Sequence, residues 1–317
     1  VPDAGRFDGM LGVLMALEVV RLLRVRTDEQ WRSALGFALE IIAFWDEEGT
    51  RFGTALLGSS AVGGVWRDEW WGLTDADGTH LIGAMNCGAF AEKVVVDQSQ
   101  VVKIPRTMSM PAASLVACGV ITGIGAVVNA AKLRAGQDVV VIGAGGVGLN
   151  AIQGARIAGA RRIVAVDMTE EKLAIAKEFG ATDGILATDA KPWRAAKKAT
   201  GRGADAVIVT VGAIPAYDQA PNYLAYGGQV IMVGMPHTGA TSTYEPVMLA
   251  AVGQGMKGSK MGDVVIARDI PWMLDMYKQG RLKLDELVSK KWKLDQINEA
   301  IADTKTGSAK RNVIVFD

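Results

Sequence analysis

The sequence predicts an α/β protein built on a doubly wound parallel sheet. Apolar, β-branched runs recur along its second part as QDVVVI, RRIVAVD, ADAVIV and GGQVIMV. Stretches with helical composition separate these runs, and a glycine-rich turn follows the first of them. Strands that alternate with helices form parallel sheets, and such sheets bind ligands at the carboxyl ends of their strands.

The glycine-rich turn GAGGVG matches the G-x-G-x-x-G pattern through Gly143, Gly145 and Gly148. The first glycine permits a tight turn, the second lets the backbone approach a pyrophosphate, and the third allows the helix to pack closely on the strand. The following helix begins at this turn, and its unpaired N–H groups attract an anion. The turn, including Gly146 and Val147, is therefore the predicted pyrophosphate-binding element of a dinucleotide site.

The second strand, RRIVAVD, follows the helix that begins at this turn, and it ends in Asp167. In dinucleotide-binding folds, an acid at the end of the second strand accepts hydrogen bonds from the hydroxyls of the adenosine ribose. Its negative charge would repel a 2′-phosphate. The sequence therefore predicts NAD rather than NADP as the cofactor.

Composition excludes several classes of function. The 317 residues hold 34 basic and 34 acidic side chains, so net charge gives no reason to bind nucleic acid or an anionic membrane surface. Two Cys and two His are too few for a disulfide framework or a four-cysteine zinc site. No run reaches about 18 uninterrupted apolar residues, and VPDAGRFDG is not a signal peptide. We therefore expect a cytoplasmic protein without membrane or nucleic-acid partners.

The charges are unevenly distributed along the chain. Residues 1–85 hold 7 Arg, no Lys and 13 acids, a net charge of −6, and the remainder carries +6. Two domains with different surfaces would explain this asymmetry, and so would two segments of different ancestry.

The second segment resembles the medium-chain, zinc-type alcohol dehydrogenases. The matching stretches include CGAFAEKVVVDQSQVVKIP, AASLVACGVITGIGAVVNAAKL, VDMTEEKLAIAKEFGATD and the closing KRNVIVF. This resemblance implies an NAD-binding Rossmann domain over 121–265, and a partial, β-rich catalytic domain over 86–120 and 266–317. It further implies that Cys118 ligates a catalytic zinc and that Thr122 contacts the nicotinamide. The remaining cofactor contacts that it implies are Lys172 at the ribose, Val211, Gly212, Val233 and Gly234 beside the nicotinamide, and Arg311 at the pyrophosphate.

The sequence also departs from that family. Two further catalytic zinc ligands, a Cys and the His of a Gly-His-Glu motif, are absent, as is the four-cysteine structural zinc lobe. A single thiolate cannot hold a catalytic zinc, so the zinc site is incomplete. Cys118 is then either an orphan ligand or a buried small residue, and His237 is expected in a loop rather than at a metal.

The segment 1–85 resembles a fragment of a different enzyme. GRFDGMLGVL and DEEGTRFGTALLGS are similar to two-zinc amidohydrolases that act on N-carbamoyl amino acids and allantoate. That resemblance implies an α/β hydrolase-like fragment in which Asp8 bridges two metals, Glu48 ligates one and Glu47 is the general base. The family's His ligands are absent, so catalysis by this segment alone is not expected.

Three functional hypotheses follow. The first is an NAD-dependent oxidoreductase acting on a small-molecule alcohol or aldehyde, truncated and with uncertain activity because zinc ligands are missing. The second is a metal-dependent amidohydrolase, and the third is a non-catalytic, NAD-binding chimera. The dehydrogenase resemblance also implies a homo-oligomer, with residues 240–262 as the candidate interface.

Overall fold

The computed structural model describes residues 98–307 and 309–316, together with Glu69, Gly78 and Val96. The chain divides into two compact units, Val1–Val96 and Asp97–Asp317, and every element given below lies in the second unit. The predicted hydrolase-like fragment, with Asp8, Glu47 and Glu48, lies outside the described residues.

The first long element is helix α1, Met110–Ala130. Two π-helical segments, Val116–Val120 and Ala126–Ala130, alternate in it with α-helical turns at Met110–Leu115 and Ile121–Gly125. By length and composition alone this helix could cross a membrane, but most of its residues are buried within the protein. It is a core helix, and its buried residues belong to the same hydrophobic cluster as Val139 and Val141 of the parallel sheet described below.

The remaining elements alternate as the sequence predicts. Through the sheet they are β1 Asp138–Ile142, α2 Gly146–Ile157, β2 Arg162–Asp167, α3 Glu170–Phe179, β3 Asp183–Leu186, α4 Pro192–Thr200, β4 Ala204–Val209, α5 Ile214–Gln219, β5 Leu224–Met232, α6 Pro246–Val252 and β6 Gly255–Gly258. After the sheet come α7 Ile266–Lys278, β7 Val288–Trp292, α8 Ile297–Lys305 and β8 Arg311–Ile314. Short 3₁₀ turns connect several of them.

Six strands form one parallel sheet in the order β3-β2-β1-β4-β5-β6. The order reverses between β1 and β4, so the crevice of a doubly wound sheet opens at the carboxyl ends of these two strands. The predicted fold class is thereby confirmed for this part of the chain. The last two strands, β7 and β8, pair in parallel and form a separate two-stranded sheet.

The sheet is buried on both faces, as its continuous apolar strands require. Val139 and Val141 of β1 face a cluster that includes α1, α2 and α7. Val140 and Ile142 face the opposite cluster, formed with α4, α5 and the segment that follows α5. The parallel pairing of β1 with β2 and β4 then places the glycine turn, which follows Ile142, at the carboxyl edge of the sheet.

Candidate cofactor site

The glycine turn joins β1 to α2 at the sheet crevice. Gly143 has φ +96°, a conformation that side chains other than glycine rarely adopt, and its N–H donates to Val166 O at 2.8 Å. A β-carbon on Gly148 would overlap the carbonyl oxygen of Gly143. The structure therefore requires glycine at both positions, so that the helix begins directly above the strand.

The next two glycines differ in what surrounds them. Gly145 caps α2 in an extended conformation, and a β-carbon there would meet nothing within 4 Å. A β-carbon on Gly146 would lie 2.5 Å from Nε of Arg311. Val147 follows within the first turn of α2 and is half-buried. The first turn of α2 therefore faces open space at Gly145 and a cation beside Gly146.

Asp167 ends β2 and is buried, with 8% of its surface exposed. Its Oδ2 accepts a hydrogen bond of 2.6 Å from the N–H of Ala144, and its Oδ1 accepts one of 2.7 Å from the N–H of Met168. Each carboxylate oxygen has a second lone pair, so both remain able to accept from ribose hydroxyls. Asp167 thus also fixes the glycine turn.

Lys172 lies in the first turn of α3, shortly after Asp167. Its backbone N–H donates to Oγ1 of the N-cap residue Thr169 at 3.3 Å. Its Nζ lies 3.9 Å from the place that a β-carbon on Gly307 would take. The ammonium group of this α3 residue therefore lies close to the segment between α8 and β8.

The two valine-glycine pairs lie side by side after β4 and β5. The N–H groups of Val233 and Gly234 both donate to Val209 O, at 3.0 and 2.9 Å. A β-carbon on Gly234 would overlap the backbone of Val211, and one on Gly212 would overlap the carbonyl of Met235. The structure therefore brings these pairs together through backbone contacts that only glycine permits, and their place beside the nicotinamide stays a prediction.

Thr122 and Cys118 both lie on α1, but their surroundings differ. Thr122 is buried, and its Oγ1 donates a weak hydrogen bond of 4.0 Å to Sδ of Met261. Cys118 is exposed on the π-helical segment Val116–Val120. The alternative that Cys118 is a buried small residue is wrong, because its thiol is exposed among the described residues. His237 lies in the exposed loop after β5.

The described residues do not fit a zinc ion. Among residues 98–307 and 309–316, no group of three or more His, Cys, Asp or Glu side chains is placed to hold a metal. A protein zinc site needs at least three such ligands. Cys118 therefore stands without companion ligands in this part of the chain.

Arg311, the first residue of β8, lies between α1 and α2. A β-carbon on Gly119 would collide with its guanidinium, whose Cζ lies 2.7 Å from that position. Burial lowers the pKa of Arg311, and the negative charge of a Cys118 thiolate would act in the opposite direction. Among the described residues no carboxylate lies within 4.0 Å of this guanidinium. A half-buried cation at a helix N-terminus, with no counter-ion among the described residues, favours a bound anion.

The chain is similar to known dehydrogenases over most of its length. A model of the zinc-binding dehydrogenases matches residues 146–279. Alcohol dehydrogenase B of Mycobacterium tuberculosis (strain ATCC 25618 / H37Rv) is 36% identical over 265 residues, which cover 82% of this chain and 69% of that protein. The putative alcohol dehydrogenase D of the same strain is 35% identical over 243 residues, 76% of this chain. The chain spans 66% of the length of that second relative.

Solved structures show the same fold. Benzyl alcohol dehydrogenase from Acinetobacter calcoaceticus superposes with a TM-score of 0.66 at 31% identity, over 68% of this chain and 59% of that one. An alcohol dehydrogenase zinc-binding domain protein from Burkholderia ambifaria gives a TM-score of 0.73 at 30% identity, over 85% of this chain and 73% of that one.

Proposed function

The chain belongs to the zinc-type medium-chain alcohol dehydrogenase family, and on that premise we propose that it binds NAD and acts on a small alcohol or the corresponding aldehyde. The observation that carries the proposal is the half-buried guanidinium of Arg311 beside the N-terminus of α2. With the open space at Gly145 and the acceptor oxygens of Asp167, it fits the pyrophosphate and adenosine ribose of a dinucleotide. Bound NAD supplies the hydride acceptor that no protein side chain provides.

The residues of the chain would orient the cofactor rather than carry out the redox chemistry themselves. The first turn of α2 and Arg311 would bind the two phosphates, and Asp167 with Lys172 would hold the ribose. Val211 and Val233, at the ends of β4 and β5, would pack against the nicotinamide ring, and Thr122 would contact it from α1. An oriented ring exposes one face to the substrate, which is the protein's main contribution to hydride transfer.

The first experiment is a titration of the whole chain with NADH, followed by nicotinamide fluorescence. We expect saturable binding with altered emission, because the ring would leave water on binding. If millimolar cofactor gives no binding, the proposal is wrong.

A non-catalytic NAD-binding protein is the second candidate, and one observation favours it. Cys118 has no companion metal ligands among the described residues. Stoichiometric zinc in the purified chain, together with alcohol-dependent formation of NADH, would support the dehydrogenase. Cofactor binding without either would support the binding protein.

The preference for NAD over NADP depends on Asp167. In Asp167→Asn the charge that repels a 2′-phosphate is lost, so we expect NADH affinity to fall about tenfold while NADPH affinity falls less or rises. Asp189→Asn is a matched control, because Asp189 is exposed in the turn after β3. An unchanged ratio of the two affinities in Asp167→Asn would contradict the assigned role.

We also propose that the chain forms a homo-oligomer through β6 and α6. The strand β6 is the last in the sheet order, and no described strand pairs with its outer edge. No residue of α6 is buried, and Val247 is 67% exposed. Exposed apolar side chains beside a free strand edge are typical of an interface. Sedimentation equilibrium would test this proposal, and a monomer throughout the concentration range would contradict it.

A further inference from the structure

The segment that follows β6 contains a left-handed turn of three residues. Met261, Gly262 and Asp263 have φ values of +52°, +72° and +50°. Residues other than glycine rarely adopt this conformation, and they keep it only when surrounding contacts require it. Met261 and Asp263, one on each side of Gly262, both adopt it, which indicates that contacts with other segments hold this turn in place.

The turn is pressed against α1 where that helix carries Thr122. A β-carbon on Gly125 would lie 2.8 Å from Cα of Gly262, and one on Gly262 would lie 3.0 Å from Thr122 O. The sulfur of Met261 accepts the hydrogen bond from the Thr122 hydroxyl. The position of the turn therefore determines what the Thr122 hydroxyl meets.

Asn129, further along α1, joins the helix to this segment. Its Nδ2 donates to Gly262 O at 3.3 Å and to Oδ2 of Asp269 at 3.2 Å. Asp269 is 2% exposed, and its Oδ2 also accepts from the N–H of Val265 at 2.9 Å. One amide group thus connects α1 both to the turn and to the N-terminus of α7.

Three further donors hold the Asp269 carboxylate in place. Nε and Nη2 of Arg268 lie 2.6 and 2.9 Å from its two oxygens, and Nε1 of Trp272 lies 3.4 Å from Oδ1. The pKa of Asp269 is lowered, chiefly because of the hydrogen bond from Arg268. Asp269 therefore remains an ionised, fixed acceptor for the Asn129 amide at neutral pH.

We propose that Asn129, held by Asp269, is a positioning residue for the nicotinamide half of the cofactor site. It keeps the left-handed turn against α1, and through Met261 it fixes the Thr122 hydroxyl. The inference rests on the proposed function, in which the ribose acid on β2 assigns the adenosine to the β1–β2–β3 half of the sheet. The β4–β5–β6 half, from which this turn leaves, then receives the nicotinamide.

The test compares two ligands in the full chain. ADP-ribose contains the adenosine, pyrophosphate and second ribose but lacks the nicotinamide, so it reports on the other half of the site. In Asn129→Ala we expect NADH affinity to fall about fivefold, with a shift in the emission of bound NADH and unchanged ADP-ribose affinity. Asn298→Ala, an exposed asparagine in α8, is the matched control and should behave as wild type.

Hydrogen exchange reports on the turn without any ligand. We expect the amides of residues 261–265 to exchange faster in Asn129→Ala, with those of β1 and α2 unchanged. If Asn129→Ala does not fold, the milder Asn129→Ser takes its place in both measurements.

Each remaining outcome has one meaning. Equal losses for NADH and ADP-ribose would show general loosening and overturn the proposal, as would unchanged NADH affinity. Wild-type protein that binds neither ligand would instead refute the proposed function, and this inference with it. Faster exchange at the turn without an effect on NADH would leave Asn129 a structural residue only.

Discussion

The two halves of the six-stranded sheet hold their candidate ligand-binding residues in different ways. In the β1–β2–β3 half, only α2 and β2 separate the glycine turn from Asp167 in the sequence, and the N–H of Ala144 in the turn donates directly to the Asp167 carboxylate. In the β4–β5–β6 half, the end of β6 depends on contacts from α1 and α7. Two large apolar side chains of this half are also exposed, Met235 after β5 at 90% and Tyr226 in β5 at 84%. The first half is built from local geometry, and the second from contacts between distant segments.

The largest effect is expected from a substitution that disrupts the β1–β2–β3 half. In Gly148→Ala the new methyl group would overlap the carbonyl of Gly143, so the turn or α2 must shift. We expect the free energy of unfolding to fall by about 3 kcal/mol, with loss of NADH binding. Urea denaturation and NADH titration measure the two effects.

Gly258→Ala in β6 is the control for this substitution, because a β-carbon there meets nothing within 4 Å. It should change stability by less than about 1 kcal/mol. Comparable losses in the two variants would show that the halves do not differ as described.

An intermediate effect is expected at Arg311, which comes from outside both halves. Arg311→Met removes the charge but keeps most of the length of the side chain. We expect affinities for NADH and for ADP-ribose to fall together by about thirtyfold, because charge-assisted hydrogen bonds to phosphate are lost. Binding of adenosine, which lacks phosphate, should be unchanged when all are measured by calorimetry.

The stability of Arg311→Met without ligand is a second test of whether Arg311 binds phosphate. Burial lowers the pKa of this arginine, so its charged form is disfavoured in the folded protein. The variant should therefore melt at the same temperature or higher, whereas Arg194→Met, at an exposed position of α4, should change neither binding nor melting. A clear loss of stability in Arg311→Met would assign Arg311 to the fold rather than to an anion.

The smallest expected effect concerns acid stability of the contacts that support the second half. The pKa of Asp269 in the folded protein lies below the ordinary value of about 3.9. Its ionised form therefore stabilises the fold above that value, and the contribution is lost as pH falls through the folded pKa. At pH 7, Asp269→Asn should be less stable by about 1 kcal/mol, and the difference should shrink below about pH 4.

Thermal melting between pH 7 and pH 3 measures this difference. Asp275→Asn, at an exposed position of the same helix, is the control. A difference between wild type and Asp269→Asn that stays constant with pH would contradict the role of the ionised carboxylate.

The same contrast explains how much the sequence could predict. The parallel sheet, the glycine turn and Asp167 follow from local patterns. Gly143 has a left-handed backbone conformation, and Gly148 packs against the carbonyl of Gly143, five residues before it. Arg311 could be assigned only by resemblance, because its partner Gly119 lies on α1, at the opposite end of the described chain. The turn at Gly262 left no recognisable pattern, since its left-handed conformation results from packing against α1.

Helix α1 shows why the contacts of the β4–β5–β6 half are hard to predict from the sequence. Its sequence is almost uniformly small and apolar, so no periodic pattern distinguishes a buried face from an exposed one. The π-helical segments rotate Cys118 towards solvent and Gly119 towards Arg311, a rotation that α-helical spacing does not predict. The three glycines of α1 each allow a different segment to approach the helix closely. Gly119 contacts Arg311, Gly123 contacts α2, and Gly125 contacts the turn at Gly262. In the sequence, only the spacing of these glycines points to such close packing.

The open space at Gly145 gives this position an unusual property. Its backbone is extended and a β-carbon there would meet no atom of the described residues within 4 Å, so alanine should leave folding intact. The same side chain would occupy the volume assigned to the pyrophosphate. Gly145 is therefore the place where folding and cofactor binding can be separated genetically, and a variant there would provide a folded, cofactor-free reference protein.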